Sequence, residues 1–187
     1  MAPSLIVVAG PNGAGKSSFV STTNFGFPVL DPDAIAGRFA GMTIQRRLIE
    51  AGRAMHGQAE EFISSRKSFV IETTLAGKSV LAMVARAKSR GMRIVVHYIA
   101  LEFIDLSKLR VKQRVEMGGH GVSDQDVELR FPRSLANLRV LAKLADEGYV
   151  YDNSRESEFR LMAEKAGGKW IIHKADMSWI TDGLNRP

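Results

Sequence analysis

The fold of this chain is decided by the stretch Leu5-Ile6-Val7-Val8-Ala9-Gly10-Pro11-Asn12-Gly13-Ala14-Gly15-Lys16-Ser17. Its first five residues form a short apolar run, which is typical of a buried parallel strand. Its last eight fill every position of the pattern G-x-x-x-x-G-K-[ST], in which glycines let successive backbone N–H groups point into a concave anion site. A helix that follows directly adds the positive end of its dipole. The strand–loop–helix order predicts a loop that binds the phosphates of a nucleoside triphosphate, and it disfavours a glycine-rich turn without a ligand.

Two side chains of this loop carry its chemistry. Lys16 supplies a mobile ammonium for the β- and γ-phosphates, and the Ser17 hydroxyl is a ligand for Mg²⁺. The predicted nucleotide-binding residues at the loop are Gly10, Pro11, Asn12, Gly13, Ala14, Gly15, Lys16, Ser17 and Ser18.

Length and composition indicate one ordinary globular domain over residues 1–187. Hydrophobic residues make up 45% and charged residues 25%, and the absence of cysteine excludes disulfides and thiolate metal sites. The first residues lead straight into a strand pattern without the basic flank and apolar stretch of a signal peptide, and no apolar run reaches membrane-spanning length. We therefore expect a cytoplasmic protein that does not bind membranes.

The net charge of +6 raises the question of a nucleic-acid partner. Many of the basic residues fall between Arg110 and Arg139, and the chain has no polybasic tail, helix-turn-helix or zinc-finger pattern. Aromatic residues make up only 7%, which does not indicate a base-stacking platform. The charge favours a polyanionic small ligand over nucleic acid.

Apolar runs alternate with helical patterns, which predicts an α/β fold with a mainly parallel five-stranded sheet in three layers. After this sheet, a glycine turn at residues 166–168 predicts a small C-terminal β-hairpin, with a short helix after it, within about residues 155–187. The predicted strands are Leu5–Ala9, Pro28–Asp31, Ser68–Thr73, Arg93–Ala100 and Gly148–Asp152, and the predicted helices are Lys16–Thr23, Asp33–Phe39, Thr43–Ser65, Ser79–Arg90, Asp105–Met117, Asp124–Asp146 and the short Asp176–Leu184.

Carboxylates follow two of the predicted strands. Asp31 and Asp33 come after the second strand, and Glu72 ends the third, followed by Thr73 and Thr74. Ligands in open α/β sheets sit beyond the carboxyl ends of the strands, where a carboxylate can accept a proton from a hydroxyl or help to hold Mg²⁺. The alternatives are that Asp33 caps a helix and that Glu72 lies on the surface. Beside Lys16, we expect Glu72 to stay ionised.

Residues 110–133 contain an arginine-rich pair of helices around the glycine-rich segment Gly118-Gly119-His120-Gly121. Flexible glycines between cationic helices favour a helical lid that closes over phosphates, with arginines making bidentate contacts. An ordinary solvated face is the alternative. The candidate ligand contacts here are Arg110, Arg114, His120, Arg130 and Arg133, and Asn153 after the fifth strand is a candidate for the edge of the nucleotide base.

Taken together these motifs resemble the zeta toxin family of P-loop kinases. The family pattern has a Gly-Lys-Ser loop, Asp-x-Asp, Glu-Thr-Thr, an arginine-rich segment with Gly-Gly-His-x-Val, and Arg-Tyr/Phe-x-Arg-Ser-x-x-Asn-Leu. The corresponding stretches are Gly10–Ser17, Asp31–Asp33, Glu72–Thr74, Arg110–Val122 and Arg130–Leu138.

The resemblance implies an ATP- and Mg²⁺-dependent kinase that phosphorylates a sugar hydroxyl of UDP-N-acetylglucosamine. It implies that Asp33 is the base, that Arg114 is the lid cation with Arg110 or Arg130 assisting, and that Glu72 contacts the acceptor. Asp31, Thr73, Thr74, His120, Arg130 and Arg133 are the other expected substrate contacts. The family also leaves an antitoxin protein open as a partner. A P-loop NTPase switch and a nucleic-acid-end kinase are the alternative functions.

Overall fold

The structure is a computed structural model that describes residues 2–155 and 158–173, together with Ile180 and Leu184. Within these residues, helices and strands alternate along the chain, as the apolar pattern predicts. In chain order they are β1 (Ser4–Ala9), α1 (Lys16–Thr23), β2 (Val29–Leu30), α2 (Pro32–Gly37), α3 (Ile44–Ser64), β3 (Phe69–Thr73), α4 (Lys78–Ser89), β4 (Arg93–Ala100), α5 (Ile104–Glu116), α6 (Asp124–Leu144), β5 (Glu147–Asp152), β6 (Arg160–Ala166) and β7 (Lys169–Ile172).

The strands form one sheet in the order β2-β3-β1-β4-β5-β6-β7. The first five of these are parallel, so their carboxyl ends meet at one edge. The α/β fold with a parallel five-stranded sheet is confirmed. The predicted hairpin also forms, but β6 pairs antiparallel with β5, so the hairpin extends the sheet to seven strands.

Alternate residues of the central strands pack on opposite faces of the sheet, because side chains alternate along a strand. On one face, Leu5 and Val7 belong to a large core with residues of α3, α4 and α6. On the other face, Ile6 and Val8 pack with Phe19 of α1. Both faces of β1 are buried, which is why its sequence is a continuous apolar run rather than an alternating one.

An aromatic cluster lies on the α1 face of the sheet, beyond Phe19. The His97 ring of β4 stacks on the Tyr149 ring of β5, with 5.0 Å between centroids and 15° between planes. Phe19 and Phe25 lie 5.3 and 5.4 Å from the same ring. His97 Nδ1 is buried without a hydrogen-bond partner, and burial lowers the pKa of this histidine to about 4. The ring is therefore held as a neutral packing element.

The start of α2 differs by one residue from the prediction. The helix predicted to begin at Asp33 begins at Pro32, the favoured first helical residue, and Asp31 is its N-cap. The short helix predicted over Asp176–Leu184 lies outside the described residues except for Ile180 and Leu184, which are both buried. Across the described part of the chain, none of the helices has the length and apolar character to cross a membrane.

Candidate functional site

The loop between β1 and α1 has a backbone that only glycine can supply at several points. Gly10 has φ +150°, and a Cβ added there would lie 2.1 Å from the carbonyl oxygen of Ile99. Gly15 has φ +87° and is the N-cap of α1 without a side-chain capping bond. The first N–H groups of α1 are therefore available to an anion, as the sequence pattern predicts.

Three side chains from distant parts of the chain hold this loop. Ser107, fully buried in α5, donates its hydroxyl to the Asn12 carbonyl at 2.5 Å. Asn153 donates its side-chain amide to the Ala14 carbonyl at 2.9 Å, and Arg110 donates to the Asn153 carbonyl at 2.7 Å. Arg110 and Asn153, predicted as nucleotide contacts, thus support the loop from behind. The sequence places Ser107 on a helix but gives no indication that it binds the loop.

Lys16 lies in the floor of the site with 8% of its surface exposed. Its ammonium donates to the Pro11 carbonyl at 2.9 Å, inside the curl of the loop. Burial lowers the pKa of Lys16 from 10.5 to about 8, with the negative charges of Glu72, Asp33 and Asp31 opposing that effect. The lysine is therefore a desolvated cation that gains from an anionic ligand.

The Ser17 hydroxyl and the Glu72 carboxylate lie side by side near Lys16. The Ser17 hydroxyl donates to Glu72 Oε1 at 2.9 Å. Lys16 and the hydrogen bond from Ser17 lower the pKa of Glu72, but burial is the larger effect and raises it above its ordinary value.

This oxygen pair fits Mg²⁺, which takes few protein ligands and completes its shell with water and phosphate oxygens. Among the described residues there is no cluster of three or more His, Cys, Asp or Glu side chains that would hold a metal without such help. Ser17 and Glu72 are therefore the residues that would hold the ion together with a nucleotide.

Asp31 and Asp33 have different positions despite their spacing. Asp31 Oδ1 accepts from the Asp33 backbone N–H at 2.9 Å and caps α2. The alternative that Asp33 is the cap is therefore wrong. The Asp33 side chain, 62% exposed, projects from the first turn of α2, where its Oδ2 lies 3.9 Å from a guanidinium nitrogen of Arg114. Asp33 is free to meet a ligand, whereas Asp31 is committed to the helix.

Arg114 and Arg130 reach the same site from α5 and α6. Arg114 Nε is buried without a hydrogen-bond partner, and its guanidinium faces Asp33. Arg130 pairs with Asp126 one helical turn away, at 3.3 Å. Arg133 is exposed on α6 and does not line the cavity described below, so its role as a ligand contact stays a prediction.

One cavity of about 630 Å³ collects these side chains, and its size suits a small molecule. The lining residues that sequence reasoning missed include Ile44 and Arg47, because nothing in their local pattern shows that the start of α3 packs beside the site. The others that it missed are Pro32, Ala36, Gly121, Val122, Ser123 and Asp126. The predicted residues that line it are Asn12, Gly13, Lys16, Asp31, Asp33, Glu72, Thr73, Thr74, Arg114, His120 and Arg130.

The loop, its lysine and the parallel sheet define a P-loop nucleotide-binding protein with the mixed α/β fold of P-loop kinases. Residues 5–137 match the AAA_33 family, described as an AAA domain, and the chain belongs to that family. A protein of Haemophilus influenzae described as uncharacterized is 31% identical over 127 residues, which cover 67% of this chain and 91% of that protein.

Solved structures show the same fold at low sequence identity. A chain of the AvrRxo1-ORF1:-ORF2 structure with ATP matches with a TM-score of 0.76 and 16% identity, over 99% of this chain. This chain spans only 65% of the length of that relative. A chain from the PezAT chromosomal toxin-antitoxin system of Streptococcus pneumoniae matches with a TM-score of 0.66 and 15% identity, over 87% of this chain and 72% of that one.

Proposed function

We propose that this chain is an ATP-dependent phosphotransferase that moves the γ-phosphate of ATP to a hydroxyl group of a small molecule. The observation that carries the proposal is the meeting of Lys16, Asp33, Glu72 and Arg114 on the wall of one cavity. A site that only bound nucleotide would not require a second carboxylate, Asp33, exposed in the cavity beside Arg114. The similarity to a chain crystallised with ATP supports ATP as the donor.

The residues divide the reaction between them. Asp33 accepts the proton of the acceptor hydroxyl as its oxygen bonds to the γ-phosphorus and the bond from that phosphorus to the oxygen of ADP breaks. In this proposal Lys16 and Arg114 neutralise charge on the phosphates, and the α1 N-terminus binds the phosphate chain. Mg²⁺, when held by Ser17 and Glu72, would add positive charge at the phosphate oxygens.

For the acceptor, we propose a UDP-activated amino sugar such as UDP-N-acetylglucosamine. The order of the motifs resembles the zeta toxin family, and the fold is similar to that of a chain from a toxin-antitoxin system. The same likeness supports an antitoxin protein as a partner. On this proposal the protein acts in the cytoplasm, where ATP and activated sugars are found.

The glycine-rich segment between α5 and α6 would serve as the lid. Gly118 has φ +85°, and residues 118–121 are exposed, so the backbone there has room to move. His120 and Gly121 line the cavity on the same side as Arg114. Closure would bring Arg114 onto the phosphates and exclude water, which favours transfer over hydrolysis.

A nucleic-acid-end kinase is the second candidate. It is favoured by the sequence pI of about 9.8 and by similarity to a chain of the Pnkp1/Rnl/Hen1 RNA repair complex, with a TM-score of 0.61, 15% identity and coverage of 47% of that chain. The size of the cavity favours a small acceptor instead.

The test is a screen for ATP consumption over sugar nucleotides, free sugars, nucleosides and oligonucleotides, with the product identified by mass spectrometry. We expect phosphate transfer to a sugar nucleotide by the wild type and a loss of about 10²- to 10⁴-fold in Asp33→Asn. Asp31→Asn is the matched control, because asparagine also caps helices well. Release of free phosphate without any phosphorylated acceptor, equally fast in both variants, would instead indicate an NTPase switch.

A further inference from the structure

Arg47 is a cation on the cavity wall that has no carboxylate partner among the described residues. It extends from the first turn of α3, and no described carboxylate lies within ion-pair distance of it. Its Nε is buried without a hydrogen-bond partner, and one terminal nitrogen is 3.5 Å from the Met42 carbonyl. A buried N–H donor without a partner is costly, unless a ligand completes it.

The other cations of the cavity are already engaged. Lys16 donates to the Pro11 carbonyl, Arg114 faces Asp33, and Arg130 pairs with Asp126. A bound triphosphate would take the charges of Lys16 and Arg114 in the proposed reaction. It would leave Arg47 as the unmatched positive charge in the cavity.

Arg47 lies on the Asp33 side of the cavity. It belongs to α3, which packs against α2, the helix whose first turn carries Asp33. In the proposed reaction, this is the side on which the acceptor hydroxyl meets its base, and the phosphate loop lines the cavity from between β1 and α1.

We infer that Arg47 binds a phosphate group that the acceptor already carries, separate from the hydroxyl that receives the new phosphate. The inference rests on the proposed phosphotransferase function and makes Arg47 a specificity-determining residue. A guanidinium matches a phosphate through two parallel charge-assisted hydrogen bonds, which a neutral sugar cannot supply. The acceptor is then a phosphorylated small molecule, and free sugars and unphosphorylated nucleosides are excluded.

The first arm of the test measures binding without turnover. Wild type, Arg47→Ala, Arg47→Lys and the control Arg46→Ala are saturated with Mg²⁺ and AMP-PNP, a non-transferable ATP analogue, and titrated calorimetrically with inorganic pyrophosphate. Arg46 is the control because it is exposed and does not line the cavity. We expect Arg47→Ala to bind pyrophosphate about 10- to 100-fold more weakly, Arg47→Lys to recover part of the loss, and Arg46→Ala to match the wild type. Equal binding by the two alanine variants, or no binding by the wild type, overturns the inference.

The second arm separates this inference from the proposed function. Transfer is measured with UDP-N-acetylglucosamine and with free N-acetylglucosamine as acceptors, and thermal melting checks that each variant is folded. We expect Arg47→Ala to raise KM for the phosphorylated acceptor and leave the affinity for ATP unchanged. Two results would overturn the role of Arg47 while supporting a kinase. One is transfer to the free sugar at a rate that Arg47→Ala does not lower, and the other is transfer only to oligonucleotides. Loss of pyrophosphate binding in Arg47→Ala without transfer to any acceptor would support the anion site and refute the proposed function.

Discussion

Replacement of His97 by phenylalanine should remove a large part of the acid sensitivity of this protein. His97 stacks on Tyr149, contacts Phe19 and Phe25, and has a buried Nδ1 without a partner. Burial holds its pKa at about 4 in the folded protein, against 6.5 for an ordinary histidine. Phenylalanine keeps an aromatic ring in the cluster and removes the ionisable nitrogens.

The sign and size of the effect follow from this pKa. Between pH 6.5 and 4 the unfolded chain takes up a proton at His97 and the folded protein does not, so stability is complete above about pH 6.5 and is lost as the pH falls. The full loss below pH 4 is about 3 kcal/mol, since each pKa unit corresponds to about 1.4 kcal/mol. Between pH 7 and pH 5 the same relation gives about 2 kcal/mol.

Urea unfolding at pH 7 and at pH 5 measures this contribution. We expect the free energy of unfolding to drop by about 2 kcal/mol more in the wild type than in His97→Phe. Tyr149→Phe is the matched control, because it keeps the histidine and the stacked ring and should show the wild-type pH dependence. If His97→Phe loses as much stability between pH 7 and pH 5 as the wild type, the reasoning from burial is refuted.

Three further predictions concern the candidate site. Asp33→Asn should retain ATP affinity in titration calorimetry while single-turnover transfer falls by about 10²- to 10⁴-fold; the reverse pattern, with Asp31→Asn as the inactive variant, would show that the roles were assigned the wrong way round. Arg114→Ala should lower the transfer rate by about 10²- to 10³-fold and ATP affinity much less, with partial recovery in Arg114→Lys, and equal losses in rate and affinity would make Arg114 a ground-state binding residue. Asn153→Ala should lower the free energy of unfolding by about 1 kcal/mol and weaken ATP binding, because the Ala14 carbonyl loses its donor; unchanged ATP affinity would show that the loop keeps its shape without this bond.

Much of the fold could be predicted from the sequence, because the buried strands are recognisable as local apolar runs. The run Leu5–Ala9 and the strand Phe69–Thr73 are apolar on both faces, and α3 was expected to within one residue at each end. The placement of the hairpin on the edge of the sheet could not be predicted. It depends on the pairing of β6 with β5, which is a long-range contact that the glycine turn at 166–168 does not determine.

The residues of the candidate site could be predicted where they belong to a sequence motif. They could not be predicted where only tertiary packing brings them to the site. The glycine pattern indicates Lys16 and Ser17 directly. The sequence could have shown that Asp31 is the helix cap and that Asp33 is the carboxylate available to a ligand. Pro32 favours the first helical position, so the residue before it is the N-cap. Arg47 and Ser107 could not be found, because α3 and α5 reach the loop and the cavity only through tertiary packing.

The central place of β1 in the sheet has a consequence for the order in which the protein can fold during synthesis. β1 pairs with β3 and β4, whose residues follow some 60 to 90 positions later, so it leaves the ribosome before either partner. Gly10 packs against the backbone of Ile99, and the support from Asn153 comes later still. The nucleotide loop therefore acquires its shape late in translation, and ATP cannot help a nascent fragment to fold before β4 has left the ribosome.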